Sequence, residues 1–180
     1  MSSQSVIDSW KNFVNQWMEL AEQTHFPEFE PDEDWPSPCQ FKKGDQWQWQ
    51  PVAITDELSF ENVEQALDIQ LNKDFTTFYT QFYSDNLDAT HDNGVLQFLQ
   101  AWSKPDFERL QQNLIGHLIM KGKLKQTPTL FFAVTDQDDL NIVINNDSGE
   151  VCLEYVGKDP HEVLANNLAE FIAQTQPLIV

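Results

Sequence analysis

Acidic side chains are the residues of this sequence best suited to chemistry. Asp and Glu number 29 against 10 Lys and Arg, which gives a formal charge of −19 at pH 7. Carboxylates can bind cations, exchange protons or attract a basic partner. Four of them recur at spacings of four, three and four residues, and this acidic stripe consists of Glu57, Glu61, Glu64 and Asp68. Because like charges at helical spacing repel, the stripe is either a solvated helix face or a cation-binding surface.

The acids are concentrated in the first part of the chain. Residues 19–34 contain seven acids and no base, and residues 56–92 contain nine acids against Lys73 alone. Such a charge disfavours binding to nucleic acid or to an anionic lipid surface and favours a cationic partner. The sequence has no apolar run of about 18 residues, as a membrane span would need, and its start lacks the basic and apolar regions of a secretory signal. We therefore expect a cytoplasmic protein that does not bind lipid directly.

The motifs of catalysis, phosphate binding and metal binding are missing. The six glycines never fall two residues apart, so there is no G-x-G fingerprint. His161 and Glu162 begin like the zinc motif H-E-x-x-H, but Ala165 stands where the second histidine is needed. Residues 136–140 begin like a calcium loop, but Asn141 occupies the position of the required glycine. We predict no catalytic, cofactor-binding or metal-binding residue, and a hydrolase that uses two carboxylates remains a distant alternative.

Cysteine content also limits the chemistry. Cys39 and Cys152 are too few for a disulfide framework or a cysteine-rich zinc site. One bridge between them and two reduced, partly buried thiols are both compatible with the sequence, and the reduced state suits a cytoplasmic protein.

The first fifty residues alternate between a helix, a loop and a strand. Apolar residues recur every three or four positions from Val6 to Ala21 and predict an amphipathic helix that ends near Pro27. Residues 25–38 contain four prolines and a run of acids, which predicts a long extended loop. The alternation in residues 47–54 predicts a half-buried strand, which Pro51 confines to a sheet edge or a bulge.

Two helical faces follow. Residues 60–68 predict a short amphipathic helix with Ser59 as its N-cap. Five rings then recur at helical spacing and predict one aromatic helix face, formed by Phe75, Phe78, Tyr79, Phe82 and Tyr83. Such rings can stack on nucleic-acid bases, but the surrounding acids would repel phosphate. Packing in the core explains these rings better.

The second half of the chain combines strands with two helices. Ser103 and Asp106 form a capping-box-like start for a helix that ends in the lysines of residues 121–125, where they suit the negative end of the helix dipole. A closing helix is predicted over 161–174. Strands are predicted near 86–90, 94–99, 129–135, 140–146 and 150–156, with turns at 91–94 and 147–149. These elements predict one α+β domain over residues 1–180, with helices packed on a largely antiparallel sheet.

Several phrases of the sequence, taken together, resemble the Syd family of SecY-interacting proteins from Gram-negative bacteria. The most diagnostic are NLIGHL (113–118) and SGEVC (148–152). The others occur in the same order along nearly the whole chain: PSPC (36–39), WQP (49–51), VEQALDI (63–69), TFYTQF (77–82), LQAWSKPDFERLQQ (99–112), PTLF (128–131) and NLAEF (167–171).

The resemblance implies a fold, a partner and a site. Syd proteins belong to the SUKH superfamily of α+β domains, so helices packed on a sheet are expected again. The family resemblance implies a regulator of protein translocation that binds the channel subunit SecY and restrains or scavenges uncomplexed SecY. It would act as a peripheral protein on the cytoplasmic side of the inner membrane. Partner-binding residues carried over from the family's acidic groove are those in or beside the VEQALDI and TFYTQF phrases, namely Glu61, Glu64, Asp68, Asp74, Asp85 and Asp88.

Two points stay open at the level of sequence. Many SUKH relatives are immunity proteins, so an acidic protein that neutralises a basic toxin is an alternative to a SecY-binding protein. The acidic loop 28–34 lies outside every matched phrase, and the resemblance assigns it no role.

Overall fold

Five helices and eleven strands make up the computed structural model, which describes residues 2–92 and 94–180. The helices are α1 (Ser2–Gln23), α2 (Glu61–Leu67), α3 (Lys73–Tyr79), α4 (Lys104–Lys123) and α5 (Leu168–Ala173). The strands are β1 (Gln40–Lys43), β2 (Gln46–Trp49), β3 (Val52–Ala53), β4 (Phe82–Tyr83), β5 (Leu87–His91), β6 (Gly94–Phe98), β7 (Thr129–Thr135), β8 (Leu140–Asn145), β9 (Val151–Tyr155), β10 (Glu162–Ala165) and β11 (Gln176–Pro177).

The central sheet has seven strands in the order β10-β9-β8-β7-β6-β5-β11, and every neighbouring pair is antiparallel. The predicted strands appear in it as β5 to β9, with ends shifted by one residue at most. Gly149 has φ +79°, a conformation that glycine adopts without strain, in the predicted turn between β8 and β9. Residue 93 of the predicted 91–94 turn lies outside the described residues. Two small pairs, β1-β2 and β3-β4, flank the sheet. The prediction of an α+β fold with a largely antiparallel sheet is confirmed.

One face of the sheet packs against α1, α3 and α5. The Trp10 ring of α1 lies 5.0 Å from that of Phe98 on β6. Phe132 on β7 contacts Phe78 of α3 and Phe171 of α5, each with 5.7 Å between ring centroids. All five of these rings are buried. The apolar face predicted for the first helix therefore belongs to the main core.

The opposite face of the sheet is polar and only partly covered. Directly paired residues share a face, and the register places Asp88, Gln97, Val134, Asn141 and Glu154 in one row from β5 to β9. Helix α4 covers the Glu154 end of this row. The other end, at Asp88 and Gln97, is half-buried and lines a surface hollow.

A β-bulge allows β7 to serve both faces. The register shifts between Phe131 and Ala133, so that Phe132 is the extra residue. Phe131 faces α4, where the His117 ring lies 5.3 Å away, while Phe132 enters the core.

Three helix predictions need correction. Helix α2 begins after Phe60, which makes no side-chain cap, and Ser59 instead accepts a hydrogen bond from Gln111 Nε2 (3.1 Å) on its carbonyl oxygen. Helix α3 ends at Tyr79, so Phe82 and Tyr83 lie in strand β4 rather than on the aromatic helix face. Tertiary pairing with β3 overrides the helical spacing there.

The predicted closing helix over 161–174 is half wrong. Residues Glu162–Ala165 form β10, because the edge of β9 offers unpaired backbone groups and Glu162 pairs with Leu153. Helix α5 starts only after Asn167, whose side-chain oxygen accepts from the amide of Glu170 at 2.9 Å.

Pro51 splits the predicted strand 47–54 into β2 and β3. Proline lacks the N–H that a continuous ladder needs, and the residue is buried between the two strands.

Lysines at the end of α4 do not all serve the helix dipole. Lys121 is buried, and its Nζ donates to Glu154 Oε1 at 2.6 Å and to the Lys158 carbonyl oxygen at 2.7 Å. The Glu154 carboxylate also accepts from the Thr129 hydroxyl at 2.8 Å. Since Thr129 donates its proton there, its oxygen is left to accept from His117 Nε2, 3.3 Å away. This buried network fixes α4 to the polar face of the sheet.

Candidate functional site

The acidic loop 28–34 is held against strand β2 by backbone pairing at its start. The amide of Phe29 donates to the Trp47 carbonyl at 3.1 Å, and the amide of Trp49 donates to the Pro27 carbonyl at 3.2 Å. Strand β2 thus carries the loop as an additional partner, with a bridge between Glu28 and Gln48. The loop that sequence analysis left without a role has a fixed position.

Helix α4 faces this loop with its first turns. The Ser103 hydroxyl accepts from the Asp106 amide at 3.4 Å, which confirms the predicted cap. The Asp106 side chain reaches back, and its Oδ2 accepts from the Trp102 amide at 2.7 Å. The Asp106 carboxylate thus bonds one residue before the N-cap, where a capping box would use the N-cap amide itself, and this contact fixes the carboxylate in place.

Between the loop and α4 lies a hollow of about 460 Å³. Four carboxylates line this acidic groove, from three separate parts of the chain: Glu30, Asp32, Asp85 and Asp106. Aromatic side chains form much of its remaining wall, among them Phe29, Trp35, Trp102 and Phe131. The Phe29 and Trp102 rings pack edge to face, 5.4 Å apart. The site is therefore a concave surface with acidic groups on aromatic walls.

The groove continues along β5. A second hollow of about 230 Å³ shares Asp85 and Asn86 with the first and adds Asp88. A third, of about 410 Å³, shares Asp88 with the second and adds Asp136. Its other walls include the exposed apolar side chains of Val95 and Val180. Six carboxylates thus follow one continuous depression on the polar face of the sheet.

Asp85 sits where the first two hollows meet. Its side chain is exposed to solvent, yet protein atoms surround it on the concave surface and displace part of its hydration. This loss of hydration raises the pKa of Asp85, and the nearby charges of Asp106 and Asp88 raise it further. The hydrogen bond from the Asn86 amide (2.8 Å) acts in the opposite direction, but the net shift of the pKa is upward. The like charges in the groove are thus close enough to repel one another.

Cations do little to balance this charge. Arg109 is the one base among the described residues that line the three hollows. Its guanidinium is already engaged, because Nη2 lies 2.7 Å from Asp106 Oδ1.

The structure divides the six predicted partner-binding residues between separate places. Asp85 and Asp88 line the groove. Glu61 and Glu64 line a different hollow of about 340 Å³, beside Lys73, and Glu64 Oε2 accepts from the Leu71 amide at 3.0 Å.

The other two predicted residues have local structural roles. Asp68 ends α2 in a left-handed conformation with φ 49°. Asp74 is buried in the first turn of α3 and is exposed over only 6% of its surface. The sequence-based list therefore does not describe one surface.

Glu30, Asp32, Asp106 and Asp136 are groove residues that the sequence-based list missed. The seven acids of residues 19–34 were a usable signal for Glu30 and Asp32. Asp106 was recognised only as a helix-start residue, and the spacing of Asp136 indicated only an incomplete calcium loop.

Other chemistry receives no support from the described residues. No group of three or more His, Cys, Asp or Glu among them could hold a metal ion. Both cysteines are free and buried, and burial raises the pKa of the Cys39 thiol to about 11, so it is not poised as a nucleophile. Within residues 2–92 and 94–180, none of the helices has the length and apolar character of a membrane span.

Comparisons with known proteins all point to one family. The family described as Syd protein (SUKH-2) matches residues 8–177. The protein named Protein Syd of Colwellia psychrerythraea is 45% identical over 183 residues, which cover 96% of this chain and 90% of that protein. Protein Syd of Alteromonas mediterranea is 50% identical over 150 residues, or 82% of this chain and 83% of that protein. Protein Syd of Erwinia tasmaniensis is 38% identical over 180 residues, or 99% and 96%. None of these names denotes an enzymatic activity.

Proposed function

The chain belongs to the Syd family, and we propose that it is a non-enzymatic binding protein for the channel subunit SecY. The family resemblance supplies the partner. Through this contact the protein is recruited to the cytoplasmic side of the inner membrane, where it restrains or scavenges SecY that lacks its proper complex.

The observation that carries the proposal is the acidic groove. Carboxylates from the 28–34 loop, from β5 and its preceding segment, and from α4 converge on one depression, and the one base among its described lining residues, Arg109, is already paired. Cytoplasmic loops of membrane proteins are enriched in Lys and Arg. Such a loop meets the groove with complementary charge, which speeds the encounter and excludes acidic competitors.

The concave shape of the groove favours a protruding loop over a flat protein surface. A hollow of about 460 Å³ accommodates a few side chains, and its aromatic walls offer apolar contact to the long stems of Lys and Arg. Charge at the rim then steers the loop, and the walls hold it.

Two triple variants with equal charge change test this location. The groove variant carries Glu30→Gln, Asp85→Asn and Asp88→Asn. The stripe variant carries Glu61→Gln, Glu64→Gln and Asp68→Asn. Binding to purified SecY in detergent micelles is measured for both, with circular dichroism to confirm the fold. We expect the groove variant to lose affinity at least about tenfold, as loss of several charge contacts implies, and the stripe variant to bind as the unmodified protein does.

The reverse result would move the site to Glu61, Glu64 and Asp68, in α2 and at its end. Unchanged binding of both variants would refute the electrostatic account. If the unmodified protein does not bind SecY at all, the immunity-type alternative becomes the better one, because the same groove suits a basic toxin.

Recruitment to membranes provides a second test. The cytoplasmic leaflet is negative and repels a protein of formal charge −19. We expect no co-flotation with liposomes of inner-membrane lipid and clear co-flotation once SecY is reconstituted into them. Flotation with the protein-free liposomes would show a direct lipid contact and contradict the proposal.

A further inference from the structure

The acidic groove already contains one guanidinium group, that of the protein's own Arg109. This group lies 2.7 Å from the Asp106 carboxylate and over the face of the Trp35 ring, 5.2 Å from its centroid. A carboxylate beside an aromatic face provides both contacts that guanidinium groups prefer in proteins. The arrangement is therefore a complete cation-binding pair of groups, one from α4 and one from the loop.

Trp102 bonds to both residues that hold the guanidinium. The Trp102 amide donates to Asp106 Oδ2 at 2.7 Å, and its indole N–H donates to the carbonyl oxygen of Trp35 at 3.3 Å. The Asp106 side chain is exposed over only 13% of its surface. The carboxylate and the backbone that carries the Trp35 ring hence keep their relative positions when Arg109 leaves.

Arg109 itself is held loosely. Its side chain is 63% exposed, and its ion pair with Asp106 spans one turn of the same helix. Exposed pairs of this type are weak because water and salt screen them. Displacement by another cation costs little.

We propose that Asp106 and Trp35 form a guanidinium subsite of the groove, in which Arg109 is a resident counter-ion that an arginine of the partner replaces. The identification of the partner rests on the proposed function, whereas the subsite and its preference rest on the geometry. A planar guanidinium both stacks on the ring and pairs with the carboxylate, and a lysine ammonium cannot stack in this way. The subsite thus selects arginine over lysine in the partner's loop.

The test uses free cations as probes, so that it does not depend on SecY. Ethylguanidinium and ethylammonium are titrated at equal ionic strength into the ¹⁵N-labelled protein, and the six tryptophan indole N–H signals are followed. Trp102→Phe assigns the signal of Trp102, whose indole bonds to Trp35. In Arg109→Gln we expect a saturable shift of this signal with ethylguanidinium. Its affinity should exceed that of the unmodified protein about two- to fivefold, the factor that corresponds to an exposed ion pair.

Lys104→Gln is the matched control, because it removes one positive charge from the exposed first turn of the same helix, away from the residues that line the groove. It should titrate as the unmodified protein does. Equal gains in both variants would reduce the effect to net charge and overturn the subsite, as would equal shifts with ethylammonium. Arg109→Lys should also gain affinity for ethylguanidinium, and the absence of a gain in both Arg109 variants would refute the displacement.

Binding to SecY distinguishes the guanidinium subsite from the proposed partner. Arg109→Gln should bind SecY more tightly than Lys104→Gln does. A guanidinium-selective titration combined with no SecY binding would uphold the subsite and reject the proposed partner. Tighter SecY binding by Arg109→Gln without any guanidinium preference would uphold the partner and reject the subsite.

Discussion

Removal of the buried lysine near the end of α4 should destabilise the protein strongly. The Lys121 and Glu154 side chains are exposed over only 1% and 3% of their surfaces, with Nζ and Oε1 2.6 Å apart. Nζ also donates to the Lys158 carbonyl oxygen at 2.7 Å and to Gln126 Oε1 at 3.2 Å. In Lys121→Met the Glu154 carboxylate keeps the hydrogen bond from Thr129 but loses its buried counter-charge.

The magnitude follows from burial of an uncompensated charge. Removal of one partner of a buried ion pair costs about 3–5 kcal/mol, a large fraction of the roughly 5–15 kcal/mol by which a domain is stable. For a domain of this size, such a loss corresponds to a fall in Tm of about 6–20 °C. Replacement of both charges removes the burial penalty and leaves the Thr129 and Lys158 groups without their partners, at about 1 kcal/mol each. The double variant Lys121→Met with Glu154→Met should therefore be more stable than Lys121→Met alone.

Urea unfolding followed by tryptophan fluorescence measures these differences. Lys123→Met is the matched control, since it makes the same substitution two residues away on the exposed side of α4, and it should change stability by about 1 kcal/mol at most. A double variant as unstable as Lys121→Met would refute the charge argument and assign the loss to packing. A Lys121→Met variant within about 1 kcal/mol of the unmodified protein would show that the ion pair contributes nothing.

Three other measurements test the electrostatics. Burial and the nearby Lys121 lower the pKa of His117 from 6.5 to about 4, so folding favours the neutral ring. The free energy of unfolding is therefore unaffected by protonation of His117 above pH 6.5 and decreases as the pH falls towards 4. The decrease amounts to roughly 3 kcal/mol. Urea unfolding of His117→Gln at a series of pH values should not show it, and a pH dependence as steep as that of the unmodified protein would contradict this prediction. The raised pKa of Asp85 has the opposite sign, since folding favours the protonated carboxyl and stability falls as the pH rises through the folded-state pKa. Asp85→Asn should therefore be the more stable protein at pH 7, with no difference below about pH 4, and lower stability at pH 7 would be the contrary result. Affinity for SecY should fall as salt rises from about 0.1 to 1 M, because the Debye length shortens from about 10 to 3 Å, and a flat response would point to an apolar contact instead.

Local patterns predicted the elements whose signals lie within one segment. Strands β7 and β8 are rich in β-branched and aromatic residues and end at turns, and they were predicted to within one residue. The cap at Ser103 was visible for the same reason, since its hydroxyl and the Asp106 amide are three residues apart. The first half of the predicted closing helix was wrong because Val163 and Leu164 fit a helix as well as an edge strand. Only the open edge of β9 decides between the two.

Tertiary context decided what local patterns could not. Lys121 suits the end of any helix by dipole arguments, and nothing near it in sequence shows that Glu154, 33 residues later, is buried opposite it. The groove has the same character. Glu30, Asp85 and Asp106 come from three distant segments, and only the pairing of the loop with β2 and the packing of α4 bring them together. Composition indicated an acidic surface, but its position required the fold.

The different situations of the acids favour the groove over the acidic stripe as the binding surface. The Glu64 carboxylate already accepts a hydrogen bond from the Leu71 amide, and Asp68 ends α2 through its left-handed backbone. Asp85 lies where the loss of hydration and two neighbouring carboxylates raise its pKa and disfavour its charged form. A site that keeps like charges close together is less stable than a neutral one, and a bound cation relieves that repulsion in addition to making its own contacts. In the groove, the unbound state has the higher electrostatic energy because its carboxylates repel one another, and a bound cation lowers that energy.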